Sequence, residues 1–192
     1  MNINNRAKST DKVSASVAVT GGVQDRVSAG GIFHFECYDK DGNLKWKDSI
    51  HNLVVNEGLK DMNDKYFSGS TYTATWYLGL IQGPASGTTI NAGDTLASHT
   101  GWTEDTAYSG NRKAVTFGAA TLADPSVINN SGSPSQFAMT GTTTIAGAFL
   151  ASVDTGTSGI LFSASDFQSP GDRAVVNGDT LNVTYQFSLD AA

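Results

Sequence analysis

Residues 178–191 read GDTLNVTYQFSLDA. Leu181, Val183, Tyr185, Phe187 and Leu189 alternate with Asn182, Thr184, Gln186, Ser188 and Asp190. Successive side chains of an extended strand point to opposite faces, so this alternation collects every large apolar residue on one side. A helix would need its apolar residues three and four apart. The stretch predicts an antiparallel strand with one face on a core and the other in water, with Tyr185 and Phe187 both inside.

The same reading extends along the chain. GIFHFECYD places Phe33, Phe35 and Cys37 on one face and His34, Glu36 and Tyr38 on the other. DKDGN (39–43) is a turn signal, and LKWKDSI follows with Leu44, Trp46 and Ile50 opposite Lys45 and Lys47. Together these predict a β-hairpin. TATWYLGLI is apolar on both faces, as a central strand is. RKAVTFGAAT, SQFAMTG, TTTIAGAFLAS and GILFSAS read as further strands after a long loop over 83–111.

One segment breaks the pattern. Val55, Leu59, Met62 and Tyr66 recur at helical spacing, with Lys60, Asp61, Asn63 and Asp64 between them. The spacing predicts an amphipathic helix over 56–67 that buries this stripe. Asn56 is its expected cap and Gly69 its stop, despite Gly58 in the first turn. The fold expected is mainly β: an antiparallel β-sandwich of jelly-roll or Greek-key type, with one short amphipathic helix. Residues 1–29 lack the apolar density to fold alone and are expected to be an extended N-terminal arm; residues 30–192 form the sandwich domain.

Composition narrows the function. The 192 residues are 39% hydrophobic and only 16% charged, with a net charge of −6. Lys and Arg are few and scattered, so no surface for nucleic acid is expected. No apolar run reaches spanning length, and MNINNRAKSTDK has no apolar stretch after its charges. No membrane partner and no secretion signal are expected, which suits folding in a reducing cytosol. Cys37 is the one cysteine, so neither an intrachain disulfide nor a cysteine-rich zinc site is available.

Candidate chemistry is sparse. DKDGN resembles the start of a calcium loop, but Leu44 stands sixth where glycine is needed and Ile50 twelfth where glutamate is needed. His34, His51 and His99 show no ligand spacing. No GxSxG elbow is present. SHTGWTEDTAYSGNRKAV (98–115) gathers a histidine, two adjacent carboxylates, a tyrosine and an arginine. Glu104 and Asp105 are chain neighbours, so an opposed pair for glycoside hydrolysis does not follow. Trp102 and Tyr108 suit either a sugar ring or loop anchoring. Two glycosylation sequons, at Asn129 and Asn182, carry no weight without secretion.

Several strings resemble a virion protein of tailed bacteriophages: NLVVNEGLKDMNDKYFSGS, TWYLGLI and SHTGWTEDTAYSGNRKAVTFGAAT, then GTTTIAGAFLAS, GILFSASDF and VVNGDTLNVTYQFSL. The resemblance runs from about residue 32 to the end. It implies a head decoration (cement) protein or a minor head or tail component, with no catalytic residue and no cofactor. The partners it implies are the major capsid protein and neighbouring copies of the chain, as a homo-oligomer or bound to a lattice. The location it implies is the capsid surface, and the host cytoplasm before assembly. On this reading Trp102, Glu104, Tyr108 and Arg112 form a loop clasp, with Arg112 paired to Glu104 or Asp105. Val13, Val17 and Val19 of the arm contact a neighbour. The alternative is a carbohydrate-binding or host-attachment module of a tail or fibre.

Overall fold

The alternation over 178–191 is one strand of a two-layer sandwich in the computed structural model, which describes residues 27–73, 75–83, 88–167 and 171–191. The first sheet contains β1 (Val27–Tyr38), β2 (Leu44–His51), β7 (Ser126–Asn129), β8 (Ser135–Ala138) and β12 (Thr180–Ala191). Its order is β2-β1-β12, with β7 and β8 taking successive halves of the far edge of β12. The second sheet contains β3 (Leu53–Val54), β4 (Trp76–Gln82), β5 (Thr103–Asp105), β6 (Lys113–Val115), β9 (Thr143–Ala151), β10 (Leu161–Asp166) and β11 (Arg173–Val175). Its order is β3-β10-β9-β4-β5, with β6 on β4 and β11 on β9. Every pairing is antiparallel.

The hairpin and the central strand form as expected. β1 pairs with β2 across a turn in which Gly42 has φ of 84°. β1 and β12, near the two chain ends, pair over twelve positions from Val27↔Ala191 to Tyr38↔Thr180. The arm boundary expected after residue 29 is therefore too late, because Val27–Ala29 are already strand. Val13, Val17 and Val19 lie outside the described residues. β5, β7 and β11 were not anticipated; each is only three or four residues long, too short for alternation to register.

Between the sheets, Phe33, Phe35, Phe137, Leu78, Leu80, Leu181, Val183 and Tyr185 are fully or almost fully buried. The buried Tyr185 hydroxyl is satisfied there: it accepts from Asn52 Nδ2 at 2.9 Å and pairs with Ser163 Oγ at 3.2 Å. Phe187 corrects the expectation. It is only half-buried, because its ring meets Phe162 near the limit of the second sheet's cover.

The helix α1 spans Asn56–Phe67 as expected, but its buried face is different. Leu59 is 41% exposed and Tyr66 83% exposed, whereas Gly58 and Asp61 are buried and Met62 partly so. The cause is close approach. A Cβ on Gly58 would lie 2.3 Å from the Phe162 carbonyl oxygen, so only glycine lets the helix sit on β10. The contact stripe is then Gly58, Asp61 and part of Met62, with Val55 buried just before the helix as expected. Asn56 is not the cap either: Val55 holds that position, and the Asn56 N–H donates to the Ala92 carbonyl at 2.8 Å. Gly69, with φ of 66°, does end the helix.

Gly58→Ala separates propensity from packing. In an open helix the change would gain about 1 kcal/mol. Here the added methyl meets backbone, so the expected result in urea unfolding is a loss of about 1–3 kcal/mol. A gain would show that the helix does not press on β10.

Candidate functional site

The polar cluster of 98–115 belongs to a structure that starts earlier, at residue 88. The second sheet is apolar on both faces. Leu78 and Leu80 of β4 face the other sheet, while Ile81 faces away with Phe149, Ala146, Ala151, Leu161 and Ala164. The segment 88–102 and the start of α1 cover that outward face through Leu96, Trp102 and Val55, all buried.

Trp102 is held from three sides. Its ring lies 5.2 Å from Phe149, His99 stacks on it at 3.7 Å, and its Nε1–H donates to Asp94 Oδ2 at 3.1 Å. The two legs of the segment close tightly: the Thr89 N–H donates to the Gly101 carbonyl at 3.0 Å. A Cβ on Gly101 would sit 2.1 Å from the Thr89 carbonyl oxygen. Glu57 fastens the cover from the helix side. One of its carboxylate oxygens accepts from Leu161 N–H at 2.7 Å and from Leu96 N–H at 3.4 Å.

Arg112 pairs with Glu104, not with Asp105. Nε and Nη2 reach the two Glu104 oxygens at 2.8 and 2.7 Å, a bidentate geometry, and Nη1 donates to the Val153 carbonyl at 3.1 Å. The guanidinium also lies 5.1 Å from the Phe149 ring centre. Asp105 is the next residue of β5 and so faces the other way. It is buried, accepts from Ala107 N–H at 2.8 Å and from Thr143 Oγ1 at 2.7 Å. Both carboxylates are thus occupied by protein groups pointing in opposite directions. Tyr108 reaches this group from the core side, its hydroxyl beside the Glu104 carboxylate. It sits between the sheets, edge-on to Phe137 at 4.8 Å, and joins Met139 by a β-bridge. Burial, with Glu104 nearby, raises its hydroxyl pKa. The structure brings Trp102, Glu104 and Arg112 together over Phe149, with the Tyr108 ring in the inter-sheet core and its hydroxyl beside Glu104.

The other singled-out residues are dispersed. His34 pairs with Ser49 at 2.8 Å, and His51 ends β2. Asp39 closes the DKDGN turn by accepting from Asp41 N–H and Asn43 N–H, both at 2.9 Å. Among the described residues, no three His, Cys, Asp or Glu side chains converge on a metal-sized site. No helix among them is long and apolar enough to cross a membrane.

Sequence reasoning missed Glu57, Asp94 and Asp179. A signal for two of them was present, since GDT occurs at 93–95 and again at 178–180. In both copies the Asp carboxylate reaches back to the N–H three residues earlier: Asp94 to Asn91 at 3.0 Å and Asp179 to Val176 at 2.9 Å. Each then takes a second donor from afar, Trp102 for Asp94 and Lys45 Nζ at 2.5 Å for Asp179. Cys37 Sγ lies 3.8 Å from Asp179 Oδ2. Burial and then the Asp179 charge push its thiol up to about 11. No family model, no curated protein and no solved structure matches the chain.

Two predictions come from these contacts. Trp102→Ala should cost about 3–5 kcal/mol in urea unfolding, the range for a large buried aromatic. Glu104→Ala should cost roughly 3 kcal/mol, because it leaves the Arg112 guanidinium buried and unpaired. Adding Arg112→Met to Glu104→Ala should recover most of that loss; equal losses in the single and double variants would show that the pair is not coupled.

The thiol gives a pH dependence. Its folded value lies above its ordinary 9.0, so the folded state holds the proton more tightly. That contribution is complete below pH 9.0 and is lost as pH rises to about 11. Tyr108 and Tyr185, both raised by burial, act in the same direction at higher pH. Urea midpoints should fall across this window, and less steeply in Cys37→Ala. An identical slope in the variant would remove the thiol from the account.

Proposed function

We propose that the chain is a non-enzymatic structural protein of a tailed-bacteriophage particle, a decoration or cement protein that binds the outer surface of the head. The resemblance of 52–70, 75–81, 98–121 and 175–189 to such proteins motivates the assignment. The observation that carries it is where the polar and apolar groups end up. The ionisable groups of 94–112 are spent on one another and on backbone: Asp94, Glu104, Asp105 and Arg112 all have partners within the fold. Large apolar side chains stand in solvent instead, with Tyr66, Phe67, Val27 and Tyr72 each more than 70% exposed. A surface of that kind suits contact with other proteins. The partners are the major capsid protein and neighbouring copies of the chain, and the arm over residues 1–26 adds reach to that contact.

One feature favours the carbohydrate reading. The outward face of the first sheet carries a shallow depression of about 550 Å³ whose lining includes His34, Glu36, Lys47, Ser49 and Thr184. It offers hydrogen-bonding groups to a glycan; Phe35 also lines it, but its side chain is buried in the core.

Particles lacking this chain should be mixed with full-length protein or with residues 27–192 and imaged by electron microscopy. Regular density on the head is expected for the full chain, with lower occupancy for the truncated one. Density on the tail alone, together with selective capture of host polysaccharide on a glycan array, would establish the attachment reading instead.

A further inference from the structure

Successive residues of a strand face opposite ways, and β10 breaks that rule at Phe162. Its pairing with β9 runs Leu161↔Ala151 and then Ser163↔Leu150, so Phe162 is the extra residue of a β-bulge. Leu161 and Ala164 lie on the outer face of the sheet with Phe149. Phe162 packs in the inter-sheet core, and Ser163, next to it, bonds the Tyr185 hydroxyl there. Two neighbouring side chains therefore enter the space between the sheets, which a regular strand would not allow.

The re-aimed Phe162 ring borders a cleft of about 170 Å³, where the cover over β12 runs out beside Phe187. Leu150 and Tyr185, both buried, are its floor. Trp76, Phe162 and Phe187 follow one another along it in edge-to-face contacts at 5.2 and 5.4 Å. Phe117, edge-on to Tyr185 at 6.2 Å, also lines it, and Tyr72, 76% exposed, marks the mouth. None of the lining side chains is charged. A water molecule is held where several polar groups converge. This floor is a leucine and a phenol whose hydroxyl already has two partners, Asn52 and Ser163. An apolar space of about 150 Å³ is enough to take up benzene. Aromatic rings favour edge-to-face and offset contacts, which a further ring in the cleft would complete.

We propose that this cleft is a binding site for an uncharged aromatic molecule of one or two fused rings, seated on Leu150 and Tyr185 among Trp76, Phe117, Phe162 and Phe187. It shares no residue with a second apolar groove of about 590 Å³, which Val27, Met62, Tyr66, Phe67 and Leu189 line. The inference stands whether or not the protein belongs to a virion.

The test adds indole to full-length protein labelled at its Ile, Leu and Val methyl groups and follows their NMR signals. Saturable shifts at Ile128 and Leu150 are expected, with nuclear Overhauser contacts from indole to Leu150 and to the Tyr185 ring. Benzoate, of similar size but charged, should bind roughly tenfold more weakly or worse. Ile128→Trp, which fills the cleft from β7, should weaken indole by about tenfold or more while the Leu78 and Leu80 signals of the core stay in place. Should that variant fail to fold, the contacts in the unaltered protein decide by themselves. No saturable shift up to the solubility of indole would overturn the proposal. Contacts confined to Val27 and Leu189, equal affinity for benzoate, or undiminished binding to a folded Ile128→Trp variant would overturn it as well.

Discussion

A sheet with two apolar faces needs two covers, and that requirement governs this molecule. The seven-stranded sheet buries one face against its partner sheet in the ordinary way of a sandwich. Its other face carries Ile81, Phe149, Ala151, Leu161 and Ala164, which would otherwise meet water. Among the described residues no third sheet supplies the cover. The start of α1 and the segment 88–102 do, through Val55, Leu96 and Trp102. Gly79 shows how tight the layer is: a Cβ there would lie 2.2 Å from the Phe149 ring.

Covering a sheet with loop rather than with regular structure buries backbone N–H groups that have no ladder to join. The chain meets this with carboxylates. Glu57 takes Leu96 and Leu161, and Asp94 takes Asn91; Asp105 at Ala107 and Asp179 at Val176 do the same in turns outside the cover. A carboxylate suits the task because it accepts from several directions and gives charge-assisted bonds. The same economy accounts for the Arg112–Glu104 pair, whose value is in holding β5 and the 111–112 turn in register over Phe149 more than in net stability. In the constellation of 98–115, Trp102, Glu104, Asp105 and Arg112 thus all have partners within the fold.

The helix and the surface are two sides of one fact. Because Gly58 lets α1 press on the Phe162 carbonyl, the helix turns Gly58, Asp61 and part of Met62 inward and leaves Leu59, Tyr66 and Phe67 outside. Had a larger residue stood at 58, the helix would have to sit farther from β10. The apolar groove beside Val27 thus follows from a packing distance, and it supports the proposal that the protein works through contact with other chains.

Period-2 alternation by itself determined the sandwich class, the β1–β2 hairpin and the inward faces of β1 and β12, because burial of one face of a strand is written in every second residue. Helical spacing likewise determined the extent of α1, ended by Gly69. Sequence also marked Trp102 and Arg112 as anchoring residues, since a loop tryptophan and a nearby acid–base pair are recognisable without coordinates. Tertiary structure alone decided the rest. Which carboxylate Arg112 takes depends on β5 being a strand, which sends Glu104 and Asp105 to opposite faces. Which side of α1 is buried depends on the distance to β10, set by a residue with no side chain. That Glu57 and Asp94 fasten the outer cover depends on backbone groups far away in the chain, and no local pattern encodes the position of a distant N–H.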